Sequence, residues 1–230
     1  MRFKRRRQAA ISVDTKKKEL VGDFKNGGQE WRPQGEPVGV RVHDFVDKVL
    51  GKAIAYGVYD VLANQGWVSV GVHHDTAEFA TEAIRRWWHY MGLRIHAGAR
   101  ELLIIADGGG SNGSRTRLWK VCLQKLADAT GLRIWVCHFP PGTSQWNKIE
   151  RRMFAPITQN WRGRPLMNLD VIVNLISHTT TRTGLMIKAQ LDATPYQAGI
   201  EVTNQELAAV RLKKADFHGE WNYRIAPRKL

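Results

Sequence analysis

Three acidic residues, Asp14, Asp107 and Glu150, have the side-chain type and the sequence context of a divalent-metal site. Asp107 directly follows the apolar run 102–106, and Glu150 follows a proline-containing turn at residues 139–142. Mg²⁺ prefers oxygen ligands, and two ions about 3.5–4 Å apart can activate an attacking oxygen and stabilise a leaving one. If the three segments converge, these carboxylates predict metal-dependent phosphodiester chemistry.

Each carboxylate also has a purely structural interpretation. Asp107 precedes a glycine-rich stretch and could open a turn, Asp14 could pair with Lys16 or Lys17, and Glu150 could be a surface residue of a helix. Any one of these interpretations is as good as the catalytic one. The three residues taken together, in this order of elements, favour the metal site.

A strong excess of positive charge indicates a polyanionic partner. The 230 residues contain 35 Lys and Arg against 21 Asp and Glu, a formal net charge of +14. Such a surface attracts nucleic acid, although a basic ribosomal or other soluble basic protein would have a similar balance. The cationic side chains nearest the acidic residues are expected to contact DNA phosphates, with a solvated basic face as the alternative: Lys16, Lys17, Lys148, Arg151 and Arg152.

Three further polar residues are expected to support the site. Asn112 and Asn147 could orient water or phosphate beside the metal, and His138 ends a predicted strand where substrate would approach. A histidine with a structural role is the competing interpretation for His138.

The glycine pattern after Asp107 allows a second hypothesis. Gly108, Gly110 and Gly113 match the G-x-G-x-x-G turn of dinucleotide-binding domains. Asp107 would place a negative charge beside the pyrophosphate, and the next strand does not end in the acidic residue that would hold a ribose. The metal site is therefore the preferred interpretation.

Hydrophobic periodicity predicts a mixed α/β fold. A strand carrying Asp14 is expected to turn at 16–18 and return at 20–22, and a long loop follows at 25–40. Further strands are predicted at 67–72, 102–106 and 133–137. Helices are predicted from Asp75 or Thr76 to a stop at Gly92, at 114–130, at 145–154 with Pro156 as its limit, at 170–178 and at 204–213.

The remaining composition narrows the class of protein. Cys122 and Cys137 are too few for a disulfide framework and lack zinc-ligand spacing, so both are expected in the core. No apolar run is long enough to span a membrane, and no signal-peptide segment follows the basic start. The sequence predicts a cytoplasmic protein that does not bind membranes.

Several separated motifs resemble those of known transposases. Residues 140–150 (PPGTSQWNKIE) resemble the signature around the last acidic residue of DDE/D transposases of the Tc1/mariner–IS630 kind. Four more segments resemble the ISAzo13 family: 13–19 (VDTKKKE), 67–72 (WVSVGV), 106–113 (ADGGGSNG) and 217–223 (FHGEWNY). The resemblance runs from about residue 11 to the C-terminus.

This resemblance implies an RNase H-like mixed sheet flanked by helices, with Asp14, Asp107 and Glu150 as the metal ligands. It implies Mg²⁺ or Mn²⁺, two ions together, and double-stranded DNA as partner, both transposon ends and target, with a homodimer on the DNA. Residues 1–10 would form a basic segment and 11–230 the catalytic domain with a C-terminal extension. Such transposases normally carry an N-terminal DNA-binding region, and this chain is expected to lack it.

The expected reaction is hydrolysis at the ends of an insertion sequence, followed by strand transfer to target DNA. A structure-selective nuclease of the same fold would cleave without joining strands. An inactive DNA-binding remnant of a transposase would do neither.

Overall fold

Eight strands form one mixed sheet in the computed structural model, which describes residues 2–41, 51–140 and 142–228. The strands are β1 (Ala9–Leu20), β2 (Lys52–Asp60), β3 (Gln65–Gly71), β4 (Glu101–Ala106), β5 (Arg133–His138), β6 (Met186–Asp192), β7 (Leu212–Lys214) and β8 (Asn222–Ile225). The α-helices are α1 (Arg2–Arg5), α2 (Ala77–Trp87), α3 (Leu93–Ile95), α4 (Arg117–Thr130), α5 (Ala155–Trp161), α6 (Leu169–Ser177) and α7 (Asn204–Ala208).

The strand order is β6-β3-β2-β1-β4-β5-β8-β7. Strands β1, β2 and β3 form an antiparallel meander, whereas β4 and β5 run parallel to β1. The edge strands are β6, parallel to β3, and the antiparallel β7–β8 hairpin, which pairs with β5. This topology confirms the expected mixed sheet flanked by helices, of the RNase H-like kind.

Helices cover both faces of the sheet and bury two apolar cores. One core places α2 and α4 against side chains such as Ile11 and Ile104. The other places α5 and α6 against the opposite face, with Met153 and Phe154 packed on β2. A Cβ at Gly57 would lie 2.6 Å from atoms of both side chains, so glycine lets this segment approach the sheet closely.

Strand β1 differs from the predicted strand, turn and returning strand. It runs unbroken to Leu20, and its pairing with β2 slips between Lys16 and Glu19. The expected turn is therefore a β-bulge, which leaves Lys17 and Lys18 both exposed. The strand that pairs with β1 is β2, which begins at Lys52. The loop predicted at 25–40 lies before it and is irregular in the structure.

Two of the predicted helix ends are wrong because π-helical turns continue the helices. Gly92 does not end the helix that begins after Thr76. A π turn, Trp88–Gly92, continues it into α3, and a Cβ at Gly92 would lie 2.5 Å from the Trp88 ring. Pro156 does not limit the helix carrying Glu150 either. It lies at the start of α5, directly after a π turn, Glu150–Phe154, where a missing N–H is tolerated.

The C-terminal part agrees with the sequence prediction only in part. Helix α6 and the Thr203–Glu206 capping box at α7 are present. Helix α7 ends at Ala208, however, and the chain then forms β7 instead of continuing to residue 213. No helix among the described residues is long and apolar enough to cross a membrane.

Candidate active site

Asp14 and Asp107 lie side by side because β1 and β4 are parallel neighbours. Val13 pairs with Ala106, so the next residue of each chain segment is one of the two aspartates. Strand β4 ends at Ala106, where its buried apolar run gives way to the loop that Asp107 opens. The carboxyl ends of two central strands thus bring together two acidic residues that are 93 positions apart in the sequence.

A buried amide joins the two aspartates. The Nδ2 atom of Asn147 donates to Asp107 Oδ1 at 3.1 Å and to Asp14 Oδ2 at 3.4 Å, and it also lies 3.2 Å from the Val13 carbonyl oxygen. The two carboxylate oxygens therefore lie within two hydrogen-bond lengths of each other. Asn147 is fully buried, so this bridge is part of the folded core.

Ser12 fixes Asn147 and the helical segment that follows it. Side chains alternate along β1, so Ser12, Asp14 and Lys16 share the face toward this segment, while Ile11 and Val13 face the other core. The Ser12 hydroxyl donates to Asn147 Oδ1 and accepts from the Ile149 backbone N–H at 3.1 Å. The strand that carries Asp14 is thereby bonded to the segment that carries Glu150.

Glu150 is the first residue of the π turn and lies one residue beyond that anchor. Its carboxylate borders a second cavity, next to the one lined by Asp14 and Asp107, and the two cavities share Lys16 and Lys17 in their walls. Glu150 is half-buried and interacts electrostatically with both aspartates. Pi-helical turns are frequent at functional sites, where they displace side chains from the regular helical register.

The pKa values of all three carboxyl groups are raised in the folded protein. Burial is the largest cause in each case, since it disfavours the charged form. The pKa of Asp14 is raised from 3.8 to about 7 by burial, then by Asp107 and Glu150, with the Thr15 backbone N–H opposing. Burial and Asp107 also raise the pKa of Glu150, against the charge of Lys16. Burial raises the pKa of Asp107, and the bond from Asn147 opposes that effect.

The donor set has the chemistry of a hard divalent cation site, three carboxylates whose mutual repulsion a cation would relieve. In the part of the chain that the structure describes, no three His, Cys, Asp or Glu side chains are already grouped as a metal site. Two of the carboxylates are adjacent and the third is within electrostatic reach. The residues fit the metal, and binding one ion with all three requires their side chains to move closer.

Asn112 and His138 lie behind the carboxylates. Asn112 is buried, and its amide nitrogen lies 3.4 Å from the Asp107 carbonyl oxygen. His138 Nδ1 lies 2.9 Å from the same carbonyl, so this nitrogen carries the proton and donates. His138 Nε2 lies 3.2 Å from the Tyr223 hydroxyl, and burial lowers the pKa of the imidazole. Both residues hold the backbone of Asp107.

The five cationic residues differ in exposure. Lys17, Lys148, Arg151 and Arg152 are exposed, and of these four Lys17 lines both cavities. Lys16 differs from the expectation of a DNA contact, because it is only 7% exposed. Its ammonium pairs with Glu19 at 2.6 Å and lies 4.4 Å from the centre of the Trp161 ring. Its charge acts on Glu150 from inside the protein.

Two backbone donors at the end of the glycine-rich loop bond within the loop. Gly113 N donates to Gly110 O at 3.1 Å, and Ser114 N donates to Gly108 O at 3.2 Å. A dinucleotide-binding turn instead directs such donors at a pyrophosphate. The structure gives no support to the nucleotide-binding hypothesis, and the loop forms one wall of a cavity of about 750 Å³ beside Asp14 and Asp107.

Three residues near the site were not predicted. A single serine in an apolar strand, Ser12, gives no sequence signal. The sequence left Asp75 or Thr76 as the start of α2, and Thr76 is the cap. Asp75 borders the cavity and accepts a hydrogen bond from the Thr15 hydroxyl at 3.2 Å. Trp221 also borders the cavity. The sequence did contain a signal for Trp221, because it lies in the family-like motif 217–223, where no helix or strand was predicted.

The mixed sheet, with carboxylates gathered where β1 and β4 place them and exposed cations around them, defines a domain of the RNase H-like class. The chain belongs to the family described as the Rhodopirellula transposase DDE domain, whose model matches residues 1–227. This confirms the relationship that the sequence motifs indicated.

Other comparisons are more distant. Among curated proteins, none matches this chain significantly in sequence. The solved structures that match include the crystal structure of the Mos1 mariner paired end complex with Mn. That match has 10% sequence identity and a TM-score of 0.46, and it covers 74% of this chain and 48% of that chain. The present chain thus spans about half the length of the Mos1 chain.

Proposed function

We propose that this chain is the catalytic domain of a DDE transposase, which cleaves DNA strands at the ends of an insertion sequence and transfers them to target DNA. The observation that carries the proposal is the electrostatic coupling of Asp14, Asp107 and Glu150 around the buried amide of Asn147. Membership in a family of transposase DDE domains supports the same assignment.

The proposed ligands are Asp14, Asp107 and Glu150, which would hold Mg²⁺ or Mn²⁺, with two ions at the site. Bound divalent ions supply activation of the attacking oxygen and stabilisation of the leaving oxygen. Asn147 keeps the two aspartates adjacent, and Asn112 and His138 fix the Asp107 backbone. Lys16 offsets part of the negative charge at Glu150. Exposed Lys17, Lys148, Arg151 and Arg152 would bind DNA phosphates.

We also propose that the partner is double-stranded DNA, both the transposon ends and the target, and that the protein binds it as a homodimer. The proposal assigns residues 1–10 to a basic segment and residues 11–230 to the catalytic domain. It also places the protein in the bacterial cytoplasm, associated with the nucleoid. The net charge of +14 supports a DNA partner.

The direct test incubates the protein with a duplex carrying the element's end, with and without Mg²⁺ or Mn²⁺, and measures both cleavage and joining to a second duplex. A transposase cleaves and joins, a nuclease only cleaves, and a remnant does neither. Asp107→Asn should abolish both activities, whereas Asp170→Asn, an exposed residue of α6, should retain them. Metal-independent cleavage, or full activity of Asp107→Asn, would overturn the proposal.

A further inference from the structure

The segment between β7 and β8 brings an aromatic cluster, Phe217, His218 and Trp221, to the edge of the candidate active site. Strand β8 pairs with β5, whose last residue is His138, and the His138 N–H donates to the Trp221 carbonyl at 3.0 Å. The same histidine bonds to the Asp107 carbonyl. Trp221 consequently lines the cavity of about 750 Å³ that Asp14 and Asp107 also line.

The three rings contact one another in a fixed order. The His218 ring stacks on Trp221, with centroids 5.0 Å apart and planes 21° apart. Phe217 meets His218 edge-on, with centroids 4.4 Å apart and an interplanar angle of 82°. Phe217 is nevertheless 76% exposed. Phe217 thus presents a large aromatic face to solvent and is joined through the His218 ring to Trp221, which lines the cavity.

Local backbone bonds hold the cluster in place. Trp221 N and Asn222 N both donate to the His218 carbonyl, at 2.9 and 2.8 Å, and His218 adopts a left-handed conformation with φ of 46°. A Cβ at Gly219 would lie 2.6 Å from the Ala215 carbonyl oxygen, so only glycine fits there. The turn is tightly specified, although it exposes apolar surface that a solvated loop would avoid.

Charge beside the cluster indicates what it binds. Exposed Lys17, Lys18 and Arg115 line the same cavity. Basic grooves combined with exposed aromatic side chains are the usual arrangement for binding single-stranded nucleic acid, because every base has a face that can stack. A base inside a duplex already stacks on both sides, so only an unpaired base offers such a face.

We infer that Phe217, together with Trp221, is a stacking site for an unpaired base next to the DNA strand that enters the active site. This inference rests on the proposed function and specifies its substrate: a DNA end with a single-stranded overhang or a locally opened pair. Neighbouring Lys17, Lys18 and Arg115 would hold the backbone of the same nucleotides.

The test measures binding without added metal, so that no cleavage occurs. One DNA is a duplex with a short unpaired overhang that carries 2-aminopurine, and the other is fully paired with both ends closed by hairpin loops of a non-nucleotide linker. Stacking is worth about 1–3 kcal/mol per base, so Phe217→Ala should weaken binding of the overhang DNA by about 5- to 150-fold. Affinity for the closed duplex should change less than about twofold.

Two more variants control for folding and for loss of any exposed ring. Phe217→Trp should retain overhang binding and 2-aminopurine quenching. Trp31→Ala removes a 99% exposed tryptophan that does not line this cavity, and it should leave both affinities unchanged. Equal affinity of wild type and Phe217→Ala for the overhang DNA, or an equal loss in Trp31→Ala, would overturn the inference.

Cleavage assays separate this inference from the proposed function. If the wild type cleaves DNA but Phe217→Ala binds the overhang as the wild type does, the stacking site fails and the transposase assignment stands. If the wild type never cleaves but Phe217→Ala loses overhang binding, the stacking site stands and the assignment fails.

Discussion

The protonation state of Asp14 near neutral pH depends on the fold. Its pKa is raised to about 7 in the folded protein, while the ordinary value of 3.8 applies to the unfolded chain. Well below pH 3.8 the Asp14 carboxyl is protonated in both the folded and the unfolded state, so it does not change the free energy of unfolding. As pH rises toward 7, the unfolded chain loses the proton first, so the native state of the metal-free protein is progressively destabilised.

Asp14→Asn should therefore raise the Tm of the metal-free protein, and the gain over wild type should grow between about pH 4.5 and pH 7 and then level off. Asparagine stays neutral and retains an oxygen for the Thr15 N–H, which isolates the effect of charge. Thermal unfolding of both proteins in chelator across this pH range measures it. For Asp170→Asn, the difference in Tm from wild type should not grow over this pH range. If the Tm difference for Asp14→Asn is equally independent of pH, the account is contradicted.

At the scale of elements, the site depends on how β1 is joined to the helical segment of residues 147–161. Ser12 connects the strand to this segment, because its hydroxyl forms hydrogen bonds with both the Asn147 side chain and the Ile149 backbone N–H. The same segment packs on β2 through Met153 and Phe154. Strand and helix together determine how far Glu150 lies from the aspartates.

Ser12→Ala should cost about 1–3 kcal/mol of stability, because it leaves the buried Ile149 N–H and the Asn147 amide oxygen without this partner. It should also reduce metal-dependent cleavage by about ten- to a hundredfold, since small displacements of catalytic groups are costly. Urea unfolding and cleavage at a temperature well below the Tm measure the two effects.

Ser69→Ala is the matched control for Ser12→Ala. Ser69 is also a buried strand serine, and its hydroxyl accepts from the Trp67 indole N–H at 3.0 Å, away from the site. It should lose comparable stability and keep cleavage within about twofold of wild type. If both variants cleave equally well, Ser12 serves stability alone.

Some helices and strands of the fold could be predicted from the sequence, and others could not. The apolar run ending at Asp107 and the turn leading to Glu150 have local patterns, so these residues could be placed on a strand end and a helix. Strand β2 was not predicted, although residues 53–59 (AIAYGVY) form an apolar run. The sequence does not show that this run pairs with both β1 and β3, or that Gly57 makes room for Met153 and Phe154. Long-range packing of this kind cannot be read from a local window.

The same limit applies to details of the site. The bulge at Lys17 and Lys18 looks like a turn in sequence, because three successive lysines suggest exposure. Only the pairing register reveals that Lys16 points inward to Glu19 and Trp161 while its neighbours face solvent. Similarly, Pro156 suggests a helix end, and the π turn that accommodates it depends on tertiary packing.

At the scale of the whole molecule, a strongly basic chain contains a small cluster of acidic residues. The sequence has a net charge of +14, yet the residues that approach one another at the ends of β1 and β4 are carboxylates. Exposed Lys17, Lys18 and Arg115 border the cavity. Such an arrangement would attract polyanions such as DNA to the basic surface and cations to the acidic residues.

Lys17→Gln should lower the dependence of duplex affinity on salt. Each neutralised phosphate contributes a slope of about −0.9 in log affinity against log salt, so loss of one contact should make the slope less negative by about that amount. Salt titrations of DNA binding measure it. Lys188→Gln changes an exposed lysine on edge strand β6, separated from β1 by β3 and β2, and should leave the slope unchanged. Equal slopes for wild type and Lys17→Gln would exclude this lysine from the DNA contact.

The central claim is that Asp14, Asp107 and Glu150 form one divalent-metal site, and calorimetric titration with Mn²⁺ at pH 8 tests it most directly. Asp14→Asn, Asp107→Asn and Glu150→Gln should each weaken Mn²⁺ binding at least tenfold, about 1.4 kcal/mol. Asp75→Asn, which alters a carboxylate in the same cavity that bonds to Thr15, should bind Mn²⁺ within about twofold of wild type. Wild-type affinity in any of the first three variants, with folding confirmed by circular dichroism, would contradict the account.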